Sequence, residues 1–266
     1  GEYLFFVNND TEIPDGCIAR LIEFLEKTPG AGIVSPLICY ARWTAYGGRH
    51  TADGFEEPDF AEGFYEKTNI TTHTTTVHRP PSTVGHPPST VIQYAGMPRV
   101  NPFTARSRMV GNGLENEGQY TLPFKTGYAH GAAMMLPRKV LQKAGPMQED
   151  YFLYYEEVDW CERIRAAGYS VWVEPRASIW HKESMTMKTL GTAKIFYLSR
   201  NRVLFMRRHY RRTFGIFILF LIFITIPKQV LGYLSKGEWQ QLSAFLAGTK
   251  AGVLNDTSTT PYSAKA

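Results

Sequence analysis

The chain has 266 residues, 44% of them hydrophobic, which supplies a sizeable core and excludes a disordered chain. Its three cysteines, Cys17, Cys39 and Cys161, are odd in number and widely spaced; this argues against a disulfide framework and a zinc site, and for a reducing compartment. The net charge of +5 does not indicate nucleic acid, because the basic residues bunch between Arg200 and Arg212, directly before an apolar run, as at a membrane surface.

The chain opens at Gly1 on Tyr3-Leu4-Phe5-Phe6-Val7, which reads as a fully buried strand with no lead-in, so it is expected to be a piece that begins in mid-sheet. Asn8-Asn9-Asp10-Thr11 then interrupts the apolar pattern. Ile18, Leu21, Ile22 and Leu25 recur at helical spacing up to Pro29-Gly30, and Gly32 to Ile38 reads as a second buried strand. Strand, polar loop, helix and strand predict an α/β sheet, parallel or mixed, with the polar loop at a strand's carboxyl end where such sheets bind ligands. From about 41 to 90 the periodicity fades into Thr- and Pro-rich sequence, read as an irregular insertion. Its histidines, His50, His73, His78 and His86, lack a tight ligand spacing.

Order returns at Val91 to Gly96. Gly131 to Leu136 is an apolar stretch followed by a helix from Pro137 to Ala144, closed by Gly145. A further helix starts at Glu156 or Glu157, buries Val158, Cys161 and Ile164, and stops at Gly168. Two short strands follow, Tyr169 to Val173 and, past Pro175, Ala177 to His181. The apolar run from about 214 to 234 is expected to span or lie in a membrane. Arg207, Arg208, Arg211 and Arg212 flank it as positive-inside anchors, which would put the α/β part on the cytoplasmic face of the plasma membrane. The expected division is therefore 1–199 for the α/β part and 200–266 for a basic helix, membrane segment and tail.

Three clusters can carry chemistry: Asn8-Asn9-Asp10, the run Glu156-Glu157-Val158-Asp159, and His181. Each has a plain structural role available, as loop cap, helix-dipole partner or half-buried histidine. Together, two carboxylate groups and an imidazole converging on one cleft suit Mg²⁺ or Mn²⁺ beside a general base.

These segments resemble the family 2 glycosyltransferases of the GT-A fold, in the rhamnosyltransferase-like branch. The resemblance rests on Phe6 to Glu12, Gln93 to Gly96, Glu117 to Tyr120, Gly131 to Met134, Phe152 to Arg163 with Ala167-Gly168-Tyr169, Ile179 to Lys182, and Tyr197 to Asn201, in that order. It implies a Rossmann-like mixed sheet flanked by helices, here incomplete at the N-terminus, with a membrane-associated helical segment after it. It also implies inverting, metal-dependent transfer from a nucleotide sugar, with dTDP-rhamnose favoured, to a polyprenyl-linked or cell-envelope glycan. In that scheme Asp10 holds the metal and His181 completes its coordination, while Asn8 stands where an aspartate is usual. Asn8, Asn9, Gly131 and Ala132 lie around the donor and acceptor, as do Trp160 and Arg163. Glu157 is the base, standing where the family has aspartate, with Glu156 and Asp159 as alternatives. His130 replaces a small or hydroxyl residue.

Two other readings use the same residues: a membrane-anchored sugar- or nucleotide-binding module inactive by itself, and a nucleotidyl or phosphoryl transferase. The second would want a Gly-rich phosphate loop or basic clamp, and the sequence shows neither.

Overall fold

In the computed structural model, which describes residues 1–41, 91–182 and 191–258, the apolar segments assemble into one mixed sheet. Its strands are β1 (Tyr3–Val7), β2 (Thr11–Glu12), β3 (Ala31–Tyr40), β4 (Ile92–Tyr94), β5 (Phe124–Lys125), β6 (Ala133–Pro137) and β7 (Ser170–His181). The spatial order is β1-β6-β3-β7-β2, with β4 also paired to β3 and β5 to β7. Helices α1 (Cys17–Lys27), α2 (Arg138–Ala144) and α3 (Glu156–Ala166) flank the sheet, as the alternation predicts. Except for Ala41, the expected insertion lies outside the described residues, and so do its four histidines.

β3 and β7 run parallel, while β6 runs antiparallel to both β1 and β3, so β1, β3 and β7 share one direction. Their carboxyl ends open on one edge of the sheet, and β6 begins there. Three details differ from the sequence reading. β1 is half-buried rather than fully buried, with Val7 42% exposed, because it has one strand neighbour and sits at the edge of this order. Pro137 ends β6 with an extended backbone (φ −66°, ψ 144°) instead of opening α2, whose first residue is Arg138. The two short strands on either side of Pro175 are one strand, β7; its register against β3 jumps from Pro36↔Glu174 to Leu37↔Ser178, so residues 175–177 bulge out and pairing resumes.

Beyond β7, α4 (Gly191–His209), α5 (Phe214–Phe220), α6 (Ile226–Lys236) and α7 (Trp239–Leu254) follow. The expected boundary at 199/200 falls inside α4, whose Val203, Leu204, Phe205 and Met206 are buried in the same core cluster as the sheet. α5, a π-helical turn at Leu221–Thr225 and α6 run on as one helix, Phe214–Lys236, with mean hydropathy 2.2 over its most apolar stretch. Only 17% of that stretch is buried within the protein, so the helix is long and apolar enough to cross a membrane by length and composition. The start of this helix is docked by guanidinium–aromatic stacking, with Arg207 over Phe214, Arg202 over Phe217 and Arg106 over Phe220. α7, which the sequence reading leaves as tail, lies against α4 through two glycines. A methyl on Gly248 would fall 2.3 Å from the Phe196 carbonyl oxygen, and one on Gly252 2.6 Å from that of Arg200.

α4 also holds the loop that introduces α3. Within residues 152–155, Phe152, Tyr154 and Tyr155 all have positive φ, at 61°, 66° and 77°, although none is glycine. Phe152 (φ 61°, ψ −52°) is the centre of a γ-turn of the rarer, strained hand, closed by the Leu153 N–H on the Tyr151 carbonyl at 2.7 Å. Left-handed backbone costs roughly 1–2 kcal/mol per non-glycine residue. The loop keeps this shape because Asn201 Nδ2 donates to the carbonyls of Tyr151, Leu153 and Tyr154 at 2.8 to 2.9 Å, and Arg200 Nη2 donates to those of Asp150 and Tyr151. At about 1 kcal/mol each, these bonds offset strain of that size.

Asn201→Ala is therefore expected to cost about 2–4 kcal/mol of stability, since it removes three hydrogen bonds and takes from the part-buried Leu153 and Tyr154 carbonyls their Asn201 donor. Asn201→Asp, equal in size but unable to donate, should cost as much. Denaturant unfolding of both variants checks this, and a loss below about 0.5 kcal/mol would show that the clamp does not hold the loop.

Candidate functional site

At the shared carboxyl edge, the turn after β1 carries Asn8, Asn9 and Asp10. Thr11 closes this turn by donating its N–H and hydroxyl to the Asn8 carbonyl. β2 then zips onto the end of β7, Thr11 opposite His181, and the Lys182 N–H donates to the Asp10 carbonyl at 2.8 Å. That pairing sets the Asp10 carboxylate beside the imidazole, with Oδ1 3.1 Å from His181 Nε2. Asp10 Oδ1 is buried and receives no well-directed hydrogen bond. His181 Nδ1 lies 2.8 Å from Gln93 Oε1. Because an amide oxygen only accepts, Nδ1 carries the proton, and in the neutral ring Nε2 turns its lone pair toward Asp10.

Two electron-pair donors facing each other at 3.1 Å fit a cation. Ligands at ~2.1 Å set at right angles, as in the octahedral shell of Mg²⁺, stand about 3 Å apart. No group of three or more His, Cys, Asp or Glu side chains among the described residues is arranged to hold a metal. A cation here would take Asp10 and His181 from the protein and its remaining ligands from phosphate oxygens and water, which is the habit of Mg²⁺ at nucleotide sites.

The start of β6 forms the next wall. The Asn8 N–H donates to the Ala132 carbonyl at 3.0 Å, so Gly131 and Ala132 border the Asp10 turn. His130 stands behind them: its Nδ1 accepts the Ala132 N–H, its own N–H donates to Ser35 Oγ, and its ring lies 6.3 Å from that of His181. Burial, helped by His181, pushes the His130 pKa down to about 4, so this ring is neutral at physiological pH.

Gly131 in turn touches the start of α3, since a methyl on it would lie 3.8 Å from Glu157 Cδ and Oε1. The Glu157 carboxylate accepts the first-turn N–H groups of Glu157 and Val158, yet its Oε2 is buried with no donor, as is Glu156 Oε2. Burial, and next the charge of Glu156, push the Glu157 pKa up to about 8, and burial raises Glu156 as well. A neighbouring cation or an incoming hydroxyl would find a carboxyl group whose proton is easily moved near neutrality.

Asn8, Asp10, Gly131, Ala132, Glu157 and His181 are thus linked contact by contact, and Asn9 is exposed beside them. Asp159, Trp160 and Arg163 have other partners: α3 turns Asp159 and Trp160 inward and leaves Arg163 half-buried beside them. Asp159 pairs with Arg163 at 2.8 Å and His209 at 2.6 Å and accepts from the Tyr151 hydroxyl. Burial alone would raise its pKa, but these partners outweigh it and hold the carboxyl below the ordinary range, as an ion-pair anchor of α3. Arg163 also donates to the Ala144 and Pro146 carbonyls. Trp160 is fully buried; its indole N–H is bonded to the Gly145 carbonyl, and Phe6 meets it edge-on. Gln93 is a site residue to which the sequence reading gave no role, although a lone amide inside the apolar run Val91 to Tyr94 signals a buried partner.

No protein-family model matches the chain. Over 78 residues it is 30% identical to the low-salt glycan biosynthesis hexosyltransferase Agl10 of Haloferax volcanii, a match covering 29% of this chain and 25% of that protein. The chain thus spans about a quarter of the length of the curated relative it matches. Among solved structures it is similar to the mannosyltransferase PcManGT of Pyrobaculum calidifontis in complex with GDP-Man and Mn²⁺, at 12% identity and a TM-score of 0.43, covering 96% of this chain and 63% of that one.

The raised Glu157 pKa has a consequence for stability. Between the ordinary carboxyl value of 4.5 and about 8, the folded chain keeps a proton that the unfolded chain releases, so this contribution to stability is lost as pH rises through that window. Glu157→Gln cannot ionise and keeps it. The stability difference between variant and wild type is expected to move in the variant's favour from pH 5 to pH 8.5, read by unfolding at matched salt; parallel pH profiles would contradict a buried, proton-holding Glu157.

Proposed function

We propose that the chain belongs to an inverting, metal-dependent glycosyltransferase that moves a sugar from a nucleotide-sugar donor to a hydroxyl of a cell-envelope or lipid-linked glycan at the cytoplasmic membrane face. One observation carries this reading: a carboxylate–imidazole pair suited to a cation and a buried carboxyl group with one oxygen lacking a donor meet at one sheet edge through Asn8, Ala132 and Gly131. The partial match to a hexosyltransferase of glycan biosynthesis supports sugar transfer, and the family 2 resemblance of the motifs supports the inverting course. The apolar helix Phe214–Lys236 supports a membrane setting.

Asp10 and His181 would hold Mg²⁺ or Mn²⁺, which supplies positive charge for a leaving diphosphate. Glu157 Oε2 takes the proton of the acceptor hydroxyl, and the hydroxyl's oxygen forms the new bond to the anomeric carbon on the face opposite the diphosphate. The bond from the anomeric carbon to the diphosphate oxygen breaks, and its electron pair leaves with the diphosphate. Configuration inverts and no covalent intermediate forms. Gln93 fixes the His181 ring, and neutral His130 backs it without adding charge. The donor sugar is a hexose or 6-deoxyhexose, with dTDP-rhamnose first among candidates.

Transfer or hydrolysis of dTDP-rhamnose, GDP-mannose and UDP-glucose by the gene's whole product in membranes, with Mn²⁺ or with EDTA, tests this reading. Turnover should require the metal, rise with pH toward about 8 as Glu157 loses its proton, and fall at least about 100-fold in Glu157→Gln. Undiminished turnover in that variant would remove Glu157 as the base. Donor binding without turnover would favour a binding module.

A further inference from the structure

Where α4 ends and the long apolar helix begins, Arg207, Arg208 and Arg211 line an open cavity of about 450 Å³ together with Phe214 and Asn255. The transfer chemistry uses none of them. Arg208 is paired with Asp150 and lies 5.0 Å over the Tyr151 ring. Arg207 stacks 4.8 Å over Phe214 and gives one Nη to the Val253 carbonyl, while its Nε is buried with no acceptor. Arg211 is exposed and has no acidic partner among the described residues. Of the nearby acids, Asp150 is taken by Arg208, and Asp256 accepts the Ser258 N–H. The cavity therefore presents more guanidinium than carboxylate charge.

Guanidinium forks suit phosphate oxygens, and Arg211, exposed and without an acidic partner among the described residues, offers one at the cavity. What adjoins the cavity decides which phosphate. The helix beginning at Phe214 exposes Ile216, Leu219, Ile222, Phe223 and Ile224, a surface unsuited to a nucleotide or a nucleic-acid backbone but matched to hydrocarbon chains. We infer that this cavity is a binding site for the phosphate headgroup of a membrane lipid, whose chains lie along the exposed face of Phe214–Lys236. The site rests on the membrane setting given above and is independent of the sugar-transfer reading. It places the lipid phosphate beside Asp150 and Tyr151, the residues that lead into the strained loop before Glu157.

The test is native mass spectrometry of the full chain in detergent, scoring retention of dioleoyl phosphatidylglycerol against dioleoyl phosphatidylcholine. Wild type is expected to prefer the anionic lipid by about tenfold or more. Arg207→Gln/Arg211→Gln should lose the preference while still retaining phosphatidylcholine. Arg211→Glu, which touches no structural partner, should reduce the preference with thermal unfolding unchanged, separating lipid binding from misfolding. Arg138→Gln/Lys139→Gln, on exposed α2, should leave it intact. Equal retention of both lipids, or equal losses in the α2 variant, would overturn the site while leaving the membrane setting standing. Retention of neither lipid would remove both. Displacement of phosphatidylglycerol by excess inorganic phosphate would overturn the lipid assignment in favour of a free anion.

Discussion

The parallel pairing of β3 with β7 is the constraint on which the site depends. It continues through the bulge at Pro175 and brings Tyr40 and His181 to the same level at the carboxyl edge. His181 then receives Thr11 across the β2 pairing, which leaves the preceding residue, Asp10, nowhere to go but beside the imidazole. β6, running the other way, starts where those strands end and delivers Gly131 and Ala132 to the same edge. Chain direction alone thus gathers side chains separated by more than 170 positions in the sequence, from Asp10 to His181.

The other half of the site costs the fold something. The Glu157 carboxyl is held in a place where ionising is unfavourable, at the head of a helix entered through three left-handed non-glycine residues. Neither feature would persist unless the surroundings over-determined it. Asn201 and Arg200 on α4 provide that determination by binding the loop's carbonyls, and α7 holds α4 in place through the close contacts at Gly248 and Gly252. The helices after the sheet therefore act on the site as well as on any membrane, because α4 reaches back to the loop that aims Glu157.

Much of the frame was legible in the sequence. Leu21 and Leu25 at helical spacing, and the apolar run at Gly32 to Ile38, have one reasonable reading each, and both elements are present. The strand-end positions of Asp10 and His181 marked them as candidates. The sequence could not reveal partnerships across long separations: Gln93 is 88 residues from His181, and Asn201 is 47 to 50 from the carbonyls it binds. Local pattern also misled where geometry at one residue decides. Pro175 suggested a break between strands, but a bulge absorbs it. Asp159, Trp160 and Arg163 are close to Glu157 in sequence, yet the turn of α3 buries Asp159 and Trp160 and commits the half-buried Arg163 to Asp159 and the Ala144 and Pro146 carbonyls. α7 was missed because its packing relies on missing side chains at Gly248 and Gly252 rather than on an apolar stripe.

We propose that Asp10 and His181 form the protein's half of a divalent cation site that a nucleoside diphosphate completes. Pulsed electron paramagnetic resonance of Mn²⁺ bound to the full chain with UDP, GDP or dTDP measures this directly, since an imidazole ligand imprints a nitrogen coupling on the manganese signal. Wild type is expected to show a nitrogen coupling that disappears in His181→Gln, and Mn²⁺ binding should be at least about tenfold weaker in Asp10→Asn. Manganese bound with every nucleotide but without nitrogen coupling, and unaffected by either substitution, would contradict it.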